Sequence, residues 1–184
     1  MKKRSEMKKL LFCALLLSLP ATAAARNDKI DPASFICAEF VALAAVAQEP
    51  PLFEGLQIDG FAAAADGQTV ASAGVMPALL ASVNAVCGAR PTDKVLSIWR
   101  KGRQSAGVPS DGPWRADKTT CRDYAENEDD GSGFVIWLDG YHRQKSGSGD
   151  SVLESDARLQ DYLKACGRRP DALMLDVMRD FLKK

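Results

Sequence analysis

Cys87-Gly88-Ala89-Arg90-Pro91 decides how this chain is read, because Cys166-Gly167-Arg168-Arg169-Pro170 repeats it near the C-terminus. Met76, Leu79, Leu80 and Val83 lead into the first cysteine; Leu159, Tyr162 and Leu163 lead into the second. Both sets follow the i, i+3, i+4, i+7 spacing of a helix with one buried face. Glycine after the last periodic residue predicts a helix C-cap, and the proline beyond it stops continuation. The upstream sequence repeats as well. Cys37-Ala38-Glu39-Phe40 and Cys121-Arg122-Asp123-Tyr124 both read cysteine, any residue, acid, aromatic. Asp59-Gly60-Phe61 and Asp139-Gly140-Tyr141 stand at matching places between the cysteines. Landmarks recurring in one order at near-equal spacing predict a tandem duplication. Residues 26–101 form the first copy, 102–119 a flexible linker and 120–184 the second copy. Strand patterns are nearly absent, so the expected class is all-α: two small helical domains of about four helices each.

Outward from the repeats, the N-terminus differs in kind. Lys2, Lys3, Arg4, Lys8 and Lys9 precede an apolar run from Leu10 to Leu19, and Ala21-Thr22-Ala23-Ala24-Ala25 supplies small residues. That is the pattern of a secretory signal peptide, cut after Ala25, and the run is too short to span a bilayer. Cys13 is removed with it. Four cysteines then remain in an exported chain, which reads as a disulfide framework. Of the three connectivities, the repeat selects Cys37–Cys87 and Cys121–Cys166. Each closes a loop worth on the order of 4 kcal/mol in the chain-entropy model. A copy of this size buries a modest core and needs such a staple.

Cleavage changes the charge. The full chain holds 24 basic and 24 acidic residues; the mature chain holds 19 and 23, a net charge of −4. No long basic tract points to nucleic acid, and no second apolar run points to a membrane span. The 102–119 segment is dense in turn formers, among them Gly107-Val108-Pro109 and Asp111-Gly112-Pro113, with Trp114 as the residue expected to dock on a domain. Asp31-Pro32 is expected to open the first helix, and a second runs from Leu52 to about Ala65. Glu126, Glu128, Asp129 and Asp130 with Gly131-Ser132-Gly133 read as a solvated loop before a helix over Phe134 to Arg143. As a calcium loop the cluster fits poorly, because position twelve falls on Trp137.

Catalytic chemistry is sparse. His142 is the only histidine and is expected at the surface or in a cap. No thiol is left over for a Cys–His pair, and no nucleophile elbow, phosphate loop or dinucleotide fingerprint is present. Without a CxxC pair there is no metal expectation, and no cofactor is expected. The chain is not expected to be an enzyme. Its residues do permit a response to acid. With model values near 4, all 23 mature carboxylates protonate by about pH 2 and the charge moves from −4 to about +19. Carboxylates held ionised by partners then stop stabilising the fold, and repulsion among cations loosens a thin helical core.

Thr120-Cys121-Arg122-Asp123-Tyr124, the Trp137 helix and Tyr162-Leu163-Lys164-Ala165-Cys166 together resemble the HdeA/HdeB family, and residues 37 to about 100 resemble it more loosely. The resemblance implies small, all-helical periplasmic proteins with one internal disulfide, acting as acid-stress chaperones. In that family acid loosens a folded dimer and exposes apolar surface, which holds unfolding client proteins until neutralisation. Carried over, the paired cysteines fall on Cys37 and Cys87, and on Cys121 and Cys166. Phe40, Val41, Trp137, Leu138 and Tyr141 would be among the client-binding positions. The family is usually a single copy. Here the two copies are expected to pack together as a built-in pseudo-dimer, or two chains to pair as a homodimer.

The leading expectation is therefore a periplasmic acid-stress holdase. The alternative is a constitutive periplasmic module that binds a protein or small ligand in a groove between the copies. A thiol oxidoreductase rests on the cysteines alone.

Overall fold

The structure is a computed structural model describing residues 29–183; the signal segment 1–25 lies outside the described residues. Among the described residues eight α-helices follow one another: α1 Cys37–Ala47, α2 Leu52–Ala65, α3 Met76–Ala89, α4 Val95–Ala106, α5 Cys121–Glu126, α6 Glu128–Ser146, α7 Asp156–Gly167 and α8 Met174–Leu182. The class is all-α, with isolated β-bridges but no strand among the described residues.

The repeated landmarks have matching structural roles. Cys37–Cys87 ties the start of α1 to α3, and Cys121–Cys166 ties the start of α5 to α7. After each second cysteine the chain turns back under the first helix. Pro91 O accepts the Ala38 N–H and Asp93 O the Cys37 N–H; Pro170 O accepts the Arg122 N–H and Ala172 O the Cys121 N–H. These bonds satisfy donors that a helix N-terminus leaves without partners. The acid two residues after the cysteine works at the same end: Glu39 accepts the Ile36 N–H at 2.9 Å and Asp123 the Thr120 N–H at 2.8 Å. The Asp123 N–H donates in turn to Thr120 Oγ1, completing a capping box that Ile36, with no side-chain acceptor, leaves half made. The aromatic that follows, Phe40 or Tyr124, is buried in its own half.

Two cores result. One gathers Phe40, Ile58, Leu79, Val83 and Trp99; the other gathers Tyr124, Trp137, Leu138, Tyr162 and Met178. Both share the seam where α2 crosses α6, the most extensive helix contact in the molecule. The crossing is made at the repeated Asp-Gly pair. A Cβ on Gly60 would fall on the Trp137 carbonyl, and one on Gly140 on the Gln57 carbonyl. Only glycine lets the two backbones approach this closely.

Several expectations change. Asp31-Pro32 does not open α1. Asp31 caps a turn, accepting from Ala33 N–H and Ser34, and the helix begins at Cys37. Gly88 and Gly167 lie inside α3 and α7 and do not end them in a left-handed cap; the positive-φ glycines are Gly67, Gly107 and Gly147. Residues 128–133 are helical, the first turns of α6, because acids favour a helix N-terminus and Gly131 admits the Trp114 ring that seals that end. Residues 102–119 are tied down at both ends. α4 continues through Ala106, whose apolar face includes buried Ile98 and Trp99. Further on, Ala71 N–H donates to Trp114 O and Ala116 N–H to Thr69 O, both at 2.9 Å. Trp114 docks on the second half as expected, against Tyr124 and Phe134.

Candidate functional site

The polar centre of the seam is Asp59, carried on α2 one residue before Gly60 and fully buried. The close crossing brings three donors onto its carboxylate. Trp99 Nε1–H donates to Oδ1 at 2.8 Å, and Arg103, from the next turn of α4, ion-pairs with the same oxygen. Trp137 Nε1–H reaches Oδ2 from α6, in the other half, at 2.9 Å. Arg103 is 2 % exposed and spends its second nitrogen on Gln68 Oε1 at 2.7 Å. A buried charge without a partner is costly, so each of the two groups depends on the other staying in place. One side chain thus joins α2 and α4 of the first half to α6 of the second.

The matching acid, Asp139, is also buried but faces inward to its own half. Ser151 donates its hydroxyl at 2.8 Å and Val152 its N–H at 2.8 Å. Burial pushes the Asp139 carboxyl up to about 6, against the pull of the Val152 N–H and the Ser151 hydroxyl. His142, one turn further along α6, is buried, which corrects the surface expectation; its Nδ1 has no hydrogen-bond partner. Burial lowers its pKa. At the surface, aspartates are held low by partners: Asp31 by the Ser34 hydroxyl, Asp111 and Asp117 by Arg115, Asp123 by the Thr120 N–H, Asp180 by Arg169. Asp117 falls to about 2.

Of the positions carried over as client-binding, Phe40, Trp137, Leu138 and Tyr141 are buried and Val41 is half-buried. Trp137 and Tyr141 belong to a run of rings, Trp114, Phe134, Trp137 and Tyr141, with neighbouring centroids 5.3 to 5.9 Å apart. The structure brings Trp137, Leu138 and Tyr141 together on α6 and leaves Phe40 and Val41 in the first half. Sequence reasoning did not find the Asp59–Arg103 pair, although the repeated Asp-Gly had singled out Asp59. Nothing in the sequence marks Arg103, 44 residues away, as its partner.

Beside the seam, an apolar cleft of about 1220 Å³ opens between α1, α2 and the start of α3 on one side and Trp114 with the first turns of α6 on the other. Among the described residues no group of three or more His, Cys, Asp or Glu side chains is placed to hold a metal. None of the described helices is long and apolar enough to cross a membrane. The two disulfides are compatible with an oxidising, extracytoplasmic setting. Comparison of the chain with protein-family models, with curated proteins and with solved structures returns no match.

Proposed function

We propose that this protein is a periplasmic acid-stress holdase related to the HdeA/HdeB family, loosened by low pH so that its apolar helix faces hold unfolding clients. The observation that carries the reading is the buried Asp59–Arg103 pair at the seam. Breaking a buried pair of this kind costs about 3–5 kcal/mol, so the seam is held only while Asp59 and Arg103 face each other. The same carboxylate holds Trp99 and, across the seam, Trp137; in acid, repulsion among the remaining cations pulls on that seam. Loosening there would free Leu138 and Tyr141, buried in the folded molecule, together with Phe134 and Trp137, which the cleft already borders. Both disulfides persist in acid and limit how far each half expands, favouring a reversible opening.

The test is client aggregation. The mature oxidised protein is expected to suppress aggregation of an acid-sensitive enzyme at about pH 2–3, where carboxylates protonate, and to do little at neutral pH. Suppression at neutral pH only, or at neither pH, overturns the reading. One observation favours the second reading, a constitutive binding module: the cleft between the halves is already open in the folded state.

A further inference from the structure

The described residues carry two strongly exposed large hydrophobic side chains, Val46 at 86 % and Leu52 at 51 %. Both lie on the lip of the same cleft. Singly exposed apolar residues are ordinary, but a pair at the mouth of an apolar groove marks an interaction surface. Of the ionisable side chains that line the groove, Glu54 and Asp59 are buried and Glu49 is exposed at the rim. The opposite wall is formed by α6, where Ser132 and Gly133 line the cleft; Glu128 and Asp129, exposed, stand one helical turn before them. The groove therefore has an apolar floor and negative lips.

Size and wall type narrow the occupant. A drug-sized ligand fills roughly 300–1,000 Å³, and this cleft is larger at about 1220 Å³. A partner strand has no sheet edge to extend, since the described residues contain only isolated bridges. Helical walls around an apolar trough suit the helix-in-groove mode, in which one face of an amphipathic helix supplies the anchors. Negative lips select cations at the flanks of that helix.

We propose that the cleft is a docking groove, open at neutral pH, for one amphipathic helical segment of a partner protein, apolar on one face and bearing Lys or Arg beside it. The inference rests on the binding-module reading and is independent of the acid switch. It places recognition in the folded state, in a cleft whose far wall includes Trp114, Phe134 and Trp137 of the ring run.

The probe is a labelled helical peptide of Leu and Lys, with a twin in which Glu replaces every Lys, titrated by fluorescence anisotropy against the mature oxidised protein at neutral pH. The Lys peptide is expected to bind in the range of about 1–100 µM and the Glu twin at least tenfold more weakly. Val46→Lys with Leu52→Lys should weaken the Lys peptide about tenfold or more, and Glu49→Lys with Asp129→Lys should reverse the preference between the twins. Near-UV circular dichroism checks that each variant keeps the fold. Equal binding of the twins, or preference for the Glu twin, overturns the cationic partner while leaving a binding groove. No binding of either peptide, binding unaltered in Val46→Lys/Leu52→Lys, or sedimentation showing the groove filled by a second copy overturns the docking groove itself. The acid aggregation assay is unaffected by any of these results.

Discussion

Asp59 carries more of this molecule than its position in a helix interior would suggest, because it is the acceptor for three donors from two other helices. Asp59→Asn keeps the shape and removes the charge. It should destabilise the protein by about 3–5 kcal/mol at neutral pH by urea unfolding, the usual penalty for leaving a buried cation unpaired. A loss below ~1 kcal/mol would show that solvent or another group already compensates Arg103. Asp139 behaves in the opposite sense although it occupies the matching repeat position. Its folded value of about 6 lies above the ordinary aspartate range, so its contribution is present below about pH 4 and lost as pH rises through about 6. Asp139→Asn should therefore compare best with the parent at pH 7 and lose ground as pH falls toward 4. A difference constant across that range would remove Asp139 from the pH response. The sequence made the two acids look equivalent. Their partners are set by which helix each faces, and that depends on the crossing.

At the scale of elements, the glycines separate into two kinds that sequence alone did not distinguish. Gly60 and Gly140 lie where α2 and α6 touch backbone to backbone, whereas a Cβ at Gly88 or Gly167 meets open space. Alanine at Gly60 or Gly140 gains about 1 kcal/mol of helix propensity but must push two helices apart, an overpacking penalty of about 1–3 kcal/mol or more. These variants should melt lower than the parent, while Gly88→Ala and Gly167→Ala should melt higher by the amount of the propensity gain alone. Equal behaviour of all four would mean the seam is looser than described. The staples belong to this scale too. Replacing Cys121 and Cys166 together with Ser should cost roughly 2–5 kcal/mol in the second half. An unchanged melting transition would rule out that role.

Helix content was legible because amphipathic spacing is local: α2 runs from Leu52 to Ala65 as expected, and Ser155 caps α7 through the Arg158 N–H. The disulfides were legible because the landmarks recur. The start of α6 was not, since Glu128 to Gly133 has loop composition and becomes helical through its packing on Trp114 and Leu56. The seam was half legible: Asp59-Gly60 stood out, but the chain gives no local sign that Trp99, Arg103 and Trp137 converge on it.

For the whole molecule, these groups add to a staged response to acid. The partner-held aspartates stabilise the fold above about pH 4 and lose that contribution as pH falls, for Asp117 through about 2. His142, its pKa lowered by burial, works against the fold once pH drops below the ordinary histidine value near ~6.5, because the unfolded chain takes the proton first. Asp139 offsets this between about pH 6 and 4. The near-UV signal should thus survive at about pH 5 and disappear between about 4 and 2. Loss complete by pH 5 would mean that His142 outweighs the carboxylates.

The two halves meet at α2 and α6 but are also one polypeptide, joined through residues 107–119. A covalent link turns association into an intramolecular step, with each half seeing the other at an effective concentration of the order of millimolar whatever the sample contains. Opening and reclosing of the seam should therefore be first order. After an acid pulse, the rate constant for recovery should stay the same over a hundredfold dilution, as it would not for two separate chains that must find each other again. A cell could keep such a protein scarce, or shed it into a large volume, without slowing the rejoining of its halves.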